Sequence, residues 1–287
     1  MADKHIDDLS GVETTGHEWD GIRELNNPMP RWWVYTFYAT ILWAIVYCIL
    51  YPAWPLVTGA TRGVLGFSSR AELAADINAA RAAQGAVLEK ISNTSLGDIL
   101  ADPQLSQFAT AGGAAAFRVN CTPCHGTGAS GGQGYPNLND DEWLWGGDID
   151  AIYQTVAHGV RDSVDPETRV SEMPAFSEIL KPEEVNQVAA YVVSLTGTPR
   201  QPGLVEAGKQ VFADNCAACH GEKAEGKRDM GAPNLADAIW LKVQSEAEVA
   251  NQIRSPKHGV MPAWAGRLGD TTVKQLAVYI HSLGGGE

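Results

Sequence analysis

From Trp32 to Thr61 the chain carries no charged residue, and Arg31 and Arg62 bound that stretch. Its most apolar part, Trp32 to Tyr51, holds about 20 residues, enough at about 1.5 Å each to cross bilayer hydrocarbon. Trp32, Trp33 and Tyr35 gather at one end and Tyr47, Tyr51 and Trp54 at the other, as interfacial aromatic belts require. Pro52 and Pro55 stop the helix where the chain would leave lipid. The pattern predicts one transmembrane helix within residues 32–54, rather than a buried core helix. A cleaved signal peptide does not fit, because the run starts late, is long, and follows an acidic leader. Residues 59–69 read as an exit loop. Ala71 to Ile91, Ala-rich with spaced charges, predicts a surface or spacer helix that Gly85 weakens. Asn93 to Pro103 reads as a turn-rich link, and Val185 to Leu195 and Val273 to Leu283 show helical apolar periodicity.

Those last two segments close a repeat. Gly113-x3-Phe117-x2-Asn120-Cys121-x2-Cys124-His125 returns 95 residues later as Gly208-x3-Phe212-x2-Asn215-Cys216-x2-Cys219-His220. Pro136-Asn137-Leu138 is answered by Pro233-Asn234-Leu235, and Trp143-Leu144 by Trp240-Leu241. His158-Gly159-Val160 recurs as His258-Gly259-Val260, and Met173-Pro174-Ala175-Phe176 as Met261-Pro262-Ala263-Trp264. The Pro/Gly-rich stretch from Gly197 to Gly203 joins the two copies. Arg161 to Glu172 is a twelve-residue insertion found in the first copy only.

Cys-x-x-Cys-His sets two thiols one helical turn apart with an imidazole directly after them. That spacing suits two thioether bonds to one haem whose iron the histidine ligates. A zinc site would need a second suitably placed pair, and a thioredoxin-like redox pair a βαβ surround; neither pattern is present. Two matched copies therefore predict two covalent haems c, on Cys121/Cys124 and Cys216/Cys219, with His125 and His220 as axial ligands. Cys48 is left as a free thiol.

Met173 and Met261, 52 and 45 residues past the first Cys of their copies, each precede a Pro and are the expected sixth ligands. A lone Met is ordinarily core filler, but two of only five Met here fall at matched positions. His158 and His258 are the competing donors. Whether each Met serves its own repeat or the two loops exchange is open at this level. The carbonyls of Pro136 and Pro233 are candidates to accept the Nδ1 protons of His125 and His220. Leu138 and Leu235 would pack on the porphyrin. Trp143 and Trp240 are either propionate donors or core packing.

Charge narrows the partners. Acids outnumber bases 34 to 21, a net −13, and no basic run of five exists, so nucleic acid is not an expected partner. The leader, residues 1–31, holds seven acids against Lys4, Arg23 and Arg31. Arg23 and Arg31 before the apolar run nearly balance Arg62 and Arg70 after it, so the positive-inside rule scarcely orients the helix.

The two repeats resemble class I cytochrome c domains. The stretch Asp20 to Trp33, followed by a single membrane helix, resembles the dihaem subunit (subunit III, CcoP or FixP) of cbb3-type cytochrome c oxidases. The resemblance implies an all-α fold: a cytoplasmic leader (1–31), a transmembrane helix (32–54), a periplasmic spacer with a helix (55–106), and tandem cytochrome c domains at 107–198 and 203–287. It implies a single-pass protein of the bacterial inner membrane, with the haem domains periplasmic because covalent haem attachment occurs outside the cytoplasm. It also implies partners: a catalytic haem–copper subunit that reduces oxygen and pumps protons, a monohaem cytochrome c subunit, and a soluble cytochrome donor. This chain lacks the histidine set of an oxygen-reducing centre, so it is expected to carry electrons only. A membrane-anchored shuttle to another respiratory enzyme and a dihaem peroxidase are the alternatives. The leader motif argues against the first and the matched Met-Pro loops against the second.

Overall fold

The computed structural model describes residues 5–286; Asp3 and Lys4, counted in the leader's charge, and Glu287, the end of the second repeat, lie outside them. The chain divides into two compact units, residues 1–83 and 84–287.

In the first unit the leader is not featureless. Strands β1 (Thr14–Trp19) and β2 (Ile22–Leu25) form an antiparallel hairpin with Trp19 opposite Ile22. Asp20 and Gly21, at φ 50° and 82°, make the tight turn, as an Asp-Gly pair does in a two-residue hairpin loop. Helix α1 (Arg31–Leu50) follows, with none of its residues buried. Among the described residues it is the helix long and apolar enough to cross a membrane. It stops because Tyr51, preceding Pro52, is extended (φ −114°, ψ 162°). The chain then turns back through a small hairpin, β3 (Pro55–Leu56) and β4 (Gly59–Ala60). Val64 and Leu65 N–H groups donate to the Ile49 and Leu50 carbonyls at 2.9 and 3.1 Å. This occupies two of the helix's terminal acceptors. Gly63 permits the approach: its φ is +66°, and a Cβ there would lie 2.4 Å from the Leu50 oxygen.

Helix α2 (Ser69–Asn93) is exposed along most of its length, with Ile91 buried. The expected link after it contains a further helix, α3 (Leu96–Ala101), whose Ser95 cap accepts the Asp98 N–H. Asp102 then caps α4 (Pro103–Asn120), accepting from Gln104 and Leu105. Beyond it come α5 (Thr122–His125), α6 (Ile149–His158), α7 (Pro182–Ser194), α8 (Val205–Asn215), α9 (Ala217–His220), α10 (Glu246–Arg254), α11 (Ala265–Leu268) and α12 (Asp270–His281).

The second unit holds two apolar cores, and their packing does not follow the order of the repeats. In the first core, α4 and α6 of repeat one pack against α12, the last helix of repeat two. In the second, α8 and α10 of repeat two pack against α7, the last helix of repeat one. Each copy thus lends its closing helix to the other. The crossing points are the repeated glycines. A Cβ on Gly113 would sit 2.1 Å from the Gln275 carbonyl oxygen, and one on Gly208 2.0 Å from that of Gln187. The repeated aromatics meet beside them: Phe117 with Tyr279 (ring centroids 5.4 Å) and Phe212 with Tyr191 (5.3 Å). Buried Phe117, Leu276 and Val273, and buried Phe212, Val185 and Val188, fill the space between. Each such side chain contributes about 1.5–3 kcal/mol of burial.

Candidate functional site

Each Cys-x-x-Cys-His motif ends one helix and forms the next. Cys121 closes α4 and starts the single turn of α5, and Cys216 does the same between α8 and α9. The two first cysteines point inward, at 8% and 9% exposure, while Cys124 is exposed and Cys219 half-buried. Burial, then the neighbouring thiol, pushes Cys121 and Cys216 up to about 11. Both are therefore protonated thiols at neutral pH.

His125 Nδ1 lies 3.1 Å from the Pro136 carbonyl oxygen, and His220 Nδ1 lies 3.0 Å from that of Pro233. The Nδ1–H donates to the carbonyl, and Nε2 is left as the lone-pair nitrogen. Burial holds both imidazoles below the ordinary histidine range, so they stay neutral. Leu138 is buried in the first core, which includes Cys121, and Leu235 packs against the second, which includes Cys216.

The two methionines follow the exchanged helices. Met261 packs on the core that contains Cys121, and Met173 on the core that contains Cys216. Each methionine loop thus packs on the core of the other copy. Val160 and Met261 exchange backbone hydrogen bonds, and Met173 N–H donates to His258 Nε2 at 3.1 Å. His158, the other competing donor, is held by the insertion: Nδ1 is 3.2 Å from Asp165 and Nε2 3.2 Å from Glu167.

The tryptophan pair diverges. Trp143 Nε1 donates to the Gly285 carbonyl near the C-terminus and so has no hydrogen to offer elsewhere. Trp240 Nε1 is buried without a hydrogen-bond partner, as is Arg169 Nε. A buried donor without an acceptor is costly, and both fit a site whose acceptors belong to a bound group such as a haem propionate. Sequence reasoning missed Arg169 and Trp145. The Arg169 guanidinium lies 5.2 Å from the Trp145 ring centroid. Trp145 in turn packs so closely on Gly231 that a Cβ there would be 2.2 Å from the indole. The Arg lies in the insertion, which the first repeat alone possesses, so the repeat gave no signal for it.

One acidic pair joins the copies. Glu142 and Asp237 interact side by side, and burial together with the Asp237 carboxylate pushes the Glu142 carboxyl up to about 7.

Cys-x-x-Cys-His motifs whose first cysteine points inward, oriented neutral imidazoles and a thioether from an opposing loop define a protein of the cytochrome c class. Residues 108–192 and 203–280 match the family model described as cytochrome c oxidase, cbb3-type, subunit III. Residues 11–58 match the N-terminal domain of cytochrome oxidase-cbb3, FixP. Among curated relatives, the cbb3-type cytochrome c oxidase subunit FixP of Rhizobium meliloti is 68% identical over the full length of both chains. The subunit CcoP of Cereibacter sphaeroides is 53% identical, over 96% of this chain and 95% of its own. The chain belongs to the FixP/CcoP family, subunit III of the cbb3-type cytochrome c oxidases. It is thus a haem-binding electron-transport subunit of an oxidoreductase complex.

Proposed function

We propose that this subunit carries two covalent haems c and passes electrons from a soluble cytochrome donor toward the oxygen-reducing subunit of its oxidase. The observation that carries the reading is the duplication of the complete donor set: a thiol pair, an oriented imidazole and an opposing thioether, each built around its own apolar core. Cys121 and Cys124 anchor the first haem, with His125 and Met261 as axial ligands. Cys216 and Cys219 anchor the second, with His220 and Met173. Bound haem supplies reversible one-electron ferrous–ferric chemistry, and histidine–methionine ligation raises its potential. The protein's part is to hold both groups in fixed, apolar surroundings. Two complete ligand sets leave no open iron position, which favours transfer over peroxidase chemistry.

Helix α1 anchors the chain in the bacterial inner membrane by a single pass. The leader faces the cytoplasm and the haem units face the periplasm, where haem is attached. The partners are a catalytic haem–copper subunit, which reduces oxygen and translocates protons, and a monohaem cytochrome c subunit. Purification from native membranes tests the assignment. The expected result is co-purification with b-type haem, copper and oxidase activity, and two haems c per chain by pyridine haemochrome assay of the separated subunit. One haem per chain, or co-purification with another respiratory enzyme, would overturn it.

A further inference from the structure

The two methionine loops occupy matched places in the repeat but are held by different means. Met261 itself is held by main chain: its N–H donates to the Val160 carbonyl at 3.0 Å, and Val160 N–H returns the bond at 2.9 Å, while Ala263 N–H, further along the loop, donates to Asp162 Oδ2 at 3.1 Å. Among the described residues Met173 has no such backbone pairing. Its N–H goes to a side chain, Nε2 of His258, at 3.1 Å. Because a backbone N–H can only donate, Nε2 must be the acceptor, and the ring proton resides on Nδ1.

The surroundings hold His258 in that role. Arg161 Nε donates to the Gly259 carbonyl at 2.7 Å and its Nη1 to the Ser171 carbonyl at 2.8 Å. One guanidinium thus clamps the residue after His258 to the residue two before Met173. On the other side, Lys257 N–H donates to Gln252 Oε1 at 3.2 Å, and the Lys257 carbonyl accepts from Lys242 Nζ. His158, the equivalent residue, is engaged with Asp165 and Glu167 of the insertion and plays no such part.

We propose that His258 is a positioning residue for the second haem: its Nε2, accepting from Met173 N–H, fixes the Met173 backbone so that the thioether faces the Cys216–His220 site. The inference rests on the ligand assignment above, and it concerns the loop rather than the iron. Loss of the acceptor frees the Met173 loop to swing away, and a small exogenous ligand then competes better for that one iron.

The experiment uses the full-length haem-loaded subunit in detergent and titrates the ferric form with cyanide. Electron paramagnetic resonance separates the two low-spin haems, and Met173→Leu marks the signal of the Cys216 centre. His258→Phe, which keeps an aromatic ring but removes the acceptor, is expected to tighten cyanide binding roughly fivefold at that centre, the worth of about one neutral hydrogen bond. The Cys121 centre is expected to keep the unaltered affinity. His258→Gln, whose Oε1 can stand near the Nε2 position, is expected to restore most of the difference. Equal cyanide affinity in the unaltered and Phe forms would overturn the proposal. So would a shift of both haems together, which marks general loosening. Should the Phe form fail to fold, a Gln form with fivefold tighter cyanide binding would overturn it, and a Gln form with unaltered affinity beside a His258→Ala form that binds cyanide about fivefold tighter at the Cys216 centre would support it. A ferric subunit without the sulfur-to-iron charge-transfer band at the Cys216 centre, before any substitution, would instead overturn the ligand assignment and this inference with it.

Discussion

Val160 and Met261, drawn from different repeats, donate their backbone N–H groups to each other's carbonyls at 2.9 and 3.0 Å. Gly159 makes the contact possible. Its φ is +70°, and a Cβ there would lie 2.2 Å from the Met261 oxygen. The loop expected to ligate a haem is therefore fastened to the other copy of the repeat.

The crossed arrangement predicts crossed spectroscopic effects. In a chain whose first motif is disabled by Cys121→Ala and Cys124→Ala, the remaining haem should keep its sulfur charge-transfer band when Met261 becomes Leu. It should lose that band when Met173 becomes Leu. The opposite result in visible and near-infrared spectra would show that each methionine serves its own repeat.

Helix exchange predicts sensitivity at the crossing glycines. Gly113→Ala forces a methyl group into the space of the Gln275 carbonyl and the Tyr279 Cβ, at 2.1 and 2.6 Å. The expected cost is about 1–3 kcal/mol. Gly97→Ala, within α3 and with nothing within 4 Å of its added methyl, should instead stabilise by about 0.4–1 kcal/mol. Denaturation midpoints of the two haem-loaded variants check the contrast, and equal midpoints would contradict this packing.

Glu142 predicts a pH dependence of stability. Its carboxyl is raised to about 7 by burial and by Asp237, so the folded chain holds a proton there that the unfolded chain releases above about 4.3. The linked stability is complete below the unfolded value and is lost as pH rises through about 7. Glu142→Gln should flatten this loss between pH 5 and 8 in thermal denaturation curves. An unchanged slope would show that the pair does not share a proton in solution.

Charge predicts a salt effect on the donor reaction. Residues 32–287 carry −9 after the leader's −4 is set aside, and haem propionates would add to it. Attraction of a basic donor should weaken as screening shortens to about 8 Å near 0.15 M salt. Stopped-flow oxidation of such a donor is expected to slow over that range. A salt-independent rate would assign the acidity to solubility alone.

Much of this was legible because strong local signals dictate it. The uncharged aromatic-bounded run becomes α1, and the periodic segments become α7 and α12. The hairpin at Asp20-Gly21 went unread despite its turn chemistry, because its strands lack a clear alternating apolar face and β2 is exposed throughout. Helix α3 was read as a link because six residues give too short a window for periodicity. The exchange of helices could not be read from the repeat at all. Gly113 and Gly208, Phe117 and Phe212, and Tyr191 and Tyr279 are chemically equivalent, so either closing helix satisfies either core. Only the placement of the chain between the copies selects one pairing. The differing fates of Trp143 and Trp240 likewise depend on Gly285 reaching one of them.

The interlacing of α4 with α12 also sets an order of events during biogenesis. The core around Cys121 lacks a wall until Val273 to Ile280 have been synthesised, about 150 residues after the motif itself. Contacts of such long sequence separation form late. The core around Cys216 has already received α7 from upstream by the time its own motif emerges. The site written first in the gene is therefore the last to close, and the thiols of Cys121 and Cys124 stay accessible until α12 has been made.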